Sequence, residues 1–292
     1  MDFSNSNHAT FKFNFFANTE KPQIEVQDQL SSDESRKKEF KNIEKATYLQ
    51  NPNFDALSTS ITTPLNICGL KYVNYEGISV KNTDIIPGKY EGGHTVWHGA
   101  IDLVNYLNKS EIPFSNKNVI ELGCGHGLPG IYALQHGAKV IFQDLNEDTL
   151  LNATSPAIAV NCNHDQYSNC KLIKGEWGTV YIFLFFFLFY SYISLYIFLL
   201  FPLLTTIPSS IYTLYSPETV SFFINLLVPL LSSMNVTCYC ASQRYYFGVG
   251  GGYMCLLNYI QQHNLPLNVE IIDSNNAHNN VLRDIYKITK TQ

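Results

Sequence analysis

In the stretch VWHGAIDLVNYLNK (96–109), apolar side chains recur at Trp97, Ile101, Val104 and Leu107, the spacing of one helix face. NVIEL (118–122) lacks that period and predicts a short buried strand. GIYALQHG (130–137) predicts a helix, with Pro129 suited to its first turn and Gly137 to its stop. AKVIFQD (138–144) predicts a second strand. Strand, helix and strand over 118–144 make the βαβ unit of a parallel, doubly wound sheet.

The same reading continues down the chain. CKLIKG (170–175), NVTCYCA (235–241), LNVEIID (267–273) and NVLRDIYKI (280–288) predict strands. SPETVSFFINLLVPLL (216–231) predicts a helix capped by Ser216, with Pro217 at its first position, and YMCLLNYIQQHN (253–264) another. No internal repeat is visible.

Two regions depart from this pattern. Residues 1–55 include EVQDQLSSDESRKKEFKNIEKA, which is too charged and too poor in apolar residues to fold alone. They are read as a loosely ordered tail before a domain over 56–292. Phe11, Phe13, Phe15 and Phe16 mark either a short docking segment or an unstructured end. The second region is GEWGTVYIFLFFFLFYSYISLYIFLLFPLL (175–204), with no charge between Glu176 and Glu218. A run longer than about 18 apolar residues ordinarily signals a membrane span.

The charge of −5 over 292 residues lacks the basic footprint of a nucleic-acid-binding protein. Seven cysteines without a CxxC pair suggest neither a zinc site nor a disulfide framework. Cys238 and Cys240 read as one face of a buried strand. A reducing compartment is expected, hence cytoplasm or nucleus. The N-terminal MDFSNSNHATFKFNFF lacks the pattern of a secretory signal.

The candidate chemistry lies in ELGCGHGLPG (121–130). Glycines after a strand let the backbone approach a ligand, and the following helix presents free N–H groups. Gly125, Gly127 and Gly130 satisfy the dinucleotide pattern GxGxxG. Gly123, Gly125 and Gly127 satisfy the acid-x-GxGxG loop of S-adenosylmethionine enzymes, with Glu121 as the acid. Glu121 favours the second parse, since a carboxylate suits an amino group and is unwelcome beside a pyrophosphate. Asp144 ends the second strand where an acid commonly holds ribose hydroxyls. His126 is read as a neutral, half-exposed turn residue. His94 and His98 are four apart but have no evident third ligand, so no metal is expected. On residues alone, Trp97 and Trp177 read as core packing.

Three stretches together resemble the histidine protein methyltransferases: YEGGHTVWHGAIDLVNYL (90–107), VIELGCGHGLPGIYALQHGAKVIFQDLN (119–146) and ASQRYYFGVGGGY (241–253), with GEW (175–177) between them. The resemblance implies an α/β fold, a Rossmann-like seven-strand sheet with helices on both faces, and S-adenosyl-L-methionine as cofactor. It implies that Val96 and Trp97 line the cofactor pocket and that Glu121, Gly123 and Gly125 surround the methionine part. Gln143 and Asp144 would hold the ribose and adenine edge, with Gly175, Glu176 and Trp177 by the adenine. Tyr245, Tyr246, Phe247 and Gly248 would shape the substrate mouth. The implied partner is a protein substrate, a histidine of a large-subunit ribosomal protein, with no direct nucleic-acid contact and a monomeric enzyme. A lysine methyltransferase of the same fold is the near alternative, against which YFGVGGG argues.

The resemblance breaks after GEW. The family continues with a fourth strand of the type YDLILTSETIY, and here the apolar run follows instead. Phe, Leu, Ile, Tyr, Val and Ser are what thymine-rich codons encode, and Gly-Thr-Val follows the motif directly. Segment 178–212 is therefore read as a translated intron or gene-model error. The alternatives are a membrane attachment through 180–204, making an inactive binding protein with a vestigial fold, or a rebuilt fourth strand. The fold expected from sequence thus has its fourth-strand region disrupted.

Overall fold

Adjacent residues of NVIEL enter two different cores: Val119 packs with one hydrophobic cluster and Ile120 with the other. That division defines the architecture, a sheet covered on both faces. The computed structural model describes residues 46–60, 62–65, 67–73, 92–177, 195–200, 217–233, 236–245, 250–275 and 282–291. They fall within the unit Ile43–Gln292, and Met1–Asn42 is a separate unit outside them. The aromatic cluster at Phe11–Phe16, Ser216, and Tyr246, Phe247 and Gly248 also lie outside the described residues.

The elements in chain order are β1 (Thr47–Leu49), α1 (Phe54–Leu57), β2 (Thr62–Pro64), β3 (Lys71–Val73), α2 (His98–Ser110), β4 (Asn118–Leu122), α3 (Leu128–Gln135) and β5 (Lys139–Asp144). A continuous helical stretch follows: α4 (Glu147–Thr149), a π-helical turn (Leu150–Thr154) and α5 (Ser155–Asn161). Then come α6 (His164–Ser168), β6 (Cys170–Lys174), β7 (Leu195–Leu200), α7 (Pro217–Ser233), β8 (Val236–Gln243), α8 (Tyr253–Gln262), β9 (Leu267–Asn275) and β10 (Arg283–Lys290).

Among the described residues, eight strands form one sheet in the order β1-β6-β5-β4-β7-β8-β10-β9. Strands β4 to β8 run parallel, and β10 is antiparallel to both β8 and β9. One face carries Leu103, Val104 and Leu107 of α2, Ile131 and Leu134 of α3, and Ile158 of α5. The other carries Phe223, Leu227 and Leu230 of α7, with Leu256 and Ile260 of α8. The strand order reverses at β4, which has β5 on one side and β7 on the other. A ligand crevice is expected outside the carboxyl ends of the strands at such a switch point.

Three expectations need correction. The fourth strand is present: Leu195–Leu200, LYIFLL, pairs in parallel with β4 (Ile120↔Ile197) and with β8 (Ile197↔Cys238). A central parallel strand is covered on both faces and accepts a continuous apolar run, and it needs only about 5–6 residues. The rest of the run, 178–194 and 201–216, lies outside the described residues. Among the described residues, no helix is long and apolar enough to cross a membrane.

Ordered structure also begins earlier than residue 56. β1 adds to the sheet edge, with Tyr48 opposite Ile173, so backbone pairing recruits a segment whose composition reads as tail. The buried face of α2 is rotated from its predicted position. Ala100, Asp102, Leu103, Val104 and Leu107 are buried while Ile101 is half-buried. A buried aspartate on that face hides the true periodicity.

Candidate cofactor and substrate site

Leu122 ends β4, and the chain turns through Gly123, Gly125 and Gly127, all with positive φ, into α3 with Pro129 in its first turn. The loop hangs on β5. The N–H of Cys124 donates to the backbone carbonyl of Gln143 at 2.9 Å. Asp144 Oδ2 accepts from the N–H of Gly125 at 3.1 Å and its Oδ1 from the N–H of Asn146 at 3.0 Å.

Gln143 is the hub of the site. Its Oε1 accepts from the N–H of Gly123 at 3.1 Å and from the indole N–H of Trp177 at 3.1 Å. Its Nε2 donates to the carbonyl of Gly175 at 2.6 Å. One buried amide thus joins the glycine loop to the GEW segment, and the three contacts fix its orientation. The ring of Trp177 meets Phe223 of α7 edge-on, with centroids 6.3 Å apart. Glu176, between Gly175 and Trp177 in sequence, is exposed.

Glu121 is fully buried. Its Oε2 accepts from the N–H of Gly130 at 2.8 Å, so one carboxylate oxygen serves the first turn of α3. Its Oε1 has no partner among the described residues. Burial pushes the Glu121 carboxyl well above its usual range, and the nearby Asp144 adds to the rise. Burial also raises Asp144, against the lowering effect of its backbone donors. A buried carboxylate with an empty oxygen is costly unless a donor or cation completes it.

Trp97 caps α2, and its indole N–H donates to the carbonyl of Gly92 at 3.1 Å. Val96, half-buried beside it, packs against the α2–α3 side of the core. The Gly92–Gly93 turn abuts α4 so closely that a Cβ at Gly93 would lie 2.5 Å from the Thr149 side chain. His126 is buried at 4% exposure, correcting the half-exposed expectation. Its Nε2 donates to the carbonyl of His94 at 3.0 Å, leaving Nδ1 as the lone-pair nitrogen, without a partner among the described residues. Burial lowers its pKa. His94 Nε2 meets Asp148 Oδ2 at 2.8 Å, and His98 is exposed at the start of α2. Among the described residues no group of three His, Cys, Asp or Glu could hold a metal.

Of the expected substrate residues, Tyr245 is described and is 50% exposed just after β8. Two contributors have no periodic signal in the sequence: Thr149, which backs Gly93, and Asp284, which holds Arg244 in a two-point fork. The repeated Gly92–Gly93 hinted at the first. A lone acid at a strand start gave no hint of the second.

Comparison with known proteins places this geometry in context. A family model described as "Lysine methyltransferase" matches residues 87–181. The chain is 41% identical over 179 residues to the histidine protein methyltransferase 1 homolog of Dictyostelium discoideum, covering 61% of this chain and 52% of that protein. It is 30% identical over 216 residues to the Rattus norvegicus homolog, covering 66% and 56%. With the Bos taurus homolog it shares 29% over 280 residues, covering 87% and 71%. The chain therefore spans little more than half the length of the first two relatives.

Proposed function

We propose, from the premise that this chain is a relative of the histidine protein methyltransferases, that it transfers a methyl group from S-adenosyl-L-methionine to a histidine ring nitrogen of a protein. The observation that carries the reading is the Gln143 clamp. It draws Gly123 and Trp177, from two separate stretches of the family resemblance, to the carboxyl end of β4 and β5. The residues fit the cofactor. The ammonium and sulfonium of S-adenosylmethionine are cationic, and Glu121 offers a buried oxygen with no partner in the described structure. At Gly123 an added Cβ would meet only Trp177, at 3.9 Å, leaving room for a ligand against the backbone.

When bound, the cofactor supplies a methyl group on a sulfonium. The target needs little activation, since neutral imidazole already carries a lone pair on one ring nitrogen. The protein's task is tautomer choice and near-attack positioning. Asp144, Gln143 and the GEW segment would hold the nucleoside end, and Tyr245, with Tyr246, Phe247 and Gly248 next in sequence, would receive the protein. We take the substrate to be a large-subunit ribosomal protein and the setting to be cytoplasm and nucleus, where seven free cysteines would stay reduced.

The test has two parts. Calorimetry with S-adenosylhomocysteine should show binding, and methyl transfer to large ribosomal subunits should place the label on histidine by mass spectrometry. Binding of a nicotinamide dinucleotide instead would overturn the cofactor assignment. A second reading, lysine methylation, is favoured by the family description over 87–181 and by 35% identity over 92 residues to the protein N-terminal and lysine N-methyltransferase efm7 of Schizosaccharomyces pombe. Residues 87–181 form the cofactor half, which says little about the acceptor. Label on lysine would decide for it.

A further inference from the structure

After β5 the helical stretch 147–161 widens once, at the π-helical turn Leu150–Thr154. Two neighbouring hydroxyls mark the change. Ser155 Oγ donates to the carbonyl of Leu150 at 2.7 Å, and Thr154 Oγ1 lies 3.3 Å from the carbonyl of Thr149. Each reaches back five residues, where a regular α-helix offers the carbonyl four back. A π-helical turn inside an α-helix is rare, and such turns collect at functional sites.

The turn carries two threonines to the two glycine segments of the site. Thr149 backs Gly93. Thr154, wholly buried, lies under the glycine loop. Its Oγ1 donates to the carbonyl of Gly125 at 2.5 Å, and its Cγ2 would be 3.2 Å from a Cβ at Gly127. A hydroxyl has one proton to give. The shorter contact assigns that proton to Gly125 rather than to the Thr149 carbonyl. The oxygen is left to accept, and Cys124 Sγ lies 3.6 Å from it. Burial pushes the Cys124 thiol well above its usual range, so it keeps its proton and is the donor.

Gly125 is thereby held at both of its backbone polar groups. Its N–H donates to Asp144 Oδ2 at the end of β5, and its carbonyl accepts from Thr154. The Gly92–Gly93 turn closes a third side: a Cβ at Gly125 would lie 3.2 Å from the carbonyl oxygen of Gly93. In a trans peptide the N–H points opposite to the C=O, so fixing the Gly125 carbonyl also fixes the direction of the His126 N–H. Gly125 has φ +51, and a glycine in a loop has conformations closed to other residues. The side chains of Asp144 and Thr154 remove that freedom.

We propose that Thr154 is a positioning residue for cofactor binding: its hydroxyl pins the Gly125 carbonyl and so keeps the glycine loop in the shape that receives S-adenosylmethionine. The proposal rests on the methyltransferase reading for its consequence, though not for its geometry. A loop free to rotate at Gly125 must be ordered again at each binding event, which lowers affinity. No motif marks Thr154, which stands 29 residues beyond Gly125 within LLNATSPAIA (150–159).

The test uses the full chain. Thr154→Val keeps the side-chain shape and removes the hydroxyl; Thr154→Ala removes it and also frees the space beside the Gly125 carbonyl. Thr154→Ser keeps the hydroxyl and loses the methyl that faces Gly127. Ser155→Ala removes the neighbouring hydroxyl, which bonds within the π-helical turn. Calorimetry gives the affinity for S-adenosylhomocysteine. Amide hydrogen exchange of the cofactor-free proteins, followed by mass spectrometry, gives the mobility of residues 123–127 against that of β4. In Thr154→Val and Thr154→Ala the affinity should fall roughly fivefold or more, and exchange over 123–127 should rise about tenfold while β4 is unchanged. In Thr154→Ser and Ser155→Ala both quantities should stay within about twofold of the parent. Equal losses in the valine and serine variants overturn the proposal, because packing alone then explains Thr154. So does unchanged loop exchange without the hydroxyl, a rise shared by β4, or a loosened loop that binds with the parent's affinity. If the parent protein binds no S-adenosylhomocysteine, the cofactor reading fails, and the exchange rates alone decide whether Thr154 pins the loop.

Discussion

The side-chain carbonyl of Gln143 accepts the indole N–H of Trp177 at 3.1 Å, a contact between residues 34 apart in sequence. The same oxygen accepts the N–H of Gly123. This shared acceptor converts two loops into one surface. Replacing Gln143 with Leu keeps the volume and removes the amide. It orphans the Gly123 N–H, the Trp177 indole N–H and the Gly175 carbonyl, each at about 1–3 kcal/mol where buried. The expected result is a lower Tm and at least a tenfold loss of S-adenosylhomocysteine affinity by calorimetry. Wild-type affinity in a folded Gln143→Leu protein would remove the clamp from the site.

Two glycines of the loop should respond differently to alanine. Gly123 has φ +61, with only Trp177 near its missing Cβ. Gly123→Ala costs about 1–2 kcal/mol of backbone strain. It should fold and lose most cofactor affinity, because the methyl group enters the ligand's space. Gly127 has φ +71, and a Cβ there would lie 2.8 Å from the Phe142 ring. Gly127→Ala adds overpacking of about 1–3 kcal/mol to the strain, so thermal melts should show the larger loss. The reverse order of stabilities would contradict the assignment of ligand space to Gly123.

Glu121→Gln should exchange binding for stability. Burial raises the folded pKa of Glu121 above its unfolded value. The native state then binds more protons than the unfolded one between about pH 4.3 and the folded pKa, and stability falls as pH rises through that window. The amide escapes this penalty. At pH 7.5 the cofactor-free variant should melt above the parent. The gap should close as the pH approaches the ordinary carboxyl range. S-adenosylhomocysteine should bind more weakly, because the charge left for its ammonium is gone. A variant that melts lower and binds normally would show Glu121 to be only a cap for α3.

His126 gives the opposite sign. Its folded pKa is lowered by burial, so below about pH 6.5 the unfolded chain takes a proton that the native chain resists. Stability contributed by the neutral ring is present above that pH and is lost as pH falls through the folded pKa. Melting curves at pH 7.5 and 5.5 should show a smaller acid-induced drop in His126→Gln than in the parent. An equal drop in both proteins would assign the acid sensitivity elsewhere.

β7 can be tested through its backbone. Ile197 lies opposite Ile120 of β4 and Cys238 of β8. Proline there removes a ladder hydrogen bond inside a central strand, a position where it is essentially never found. Ile197→Pro should give a protein that melts far lower or is recovered only in the insoluble fraction. An unchanged Tm would displace LYIFLL from the sheet.

The strand–turn–helix–strand over 118–144 was legible because its signals are local: a short apolar run, glycines with positive φ and a proline in the first helical turn. The candidate residues of the glycine loop and GEW were legible as motifs. Their joint tie to Gln143 was not, since an amide's partners 20 and 34 residues away leave no periodic trace. β7 shows the limit from the other side. The apolar run over 180–204 contains many registers of nearly equal hydrophobicity, and only the gap between β4 and β8 selects Leu195–Leu200. Asp284 is similar. Beside Arg283 it reads as an ordinary charged pair, and it becomes a buried anchor only when β8 and β9 flank it. The sequence by itself determined the parallel sheet and the cofactor loop, because backbone geometry and burial period are written residue by residue. The tertiary structure decided which apolar residues fill the central strand and which polar side chains brace the site. Those choices depend on partners that the fold, and not the chain order, brings together.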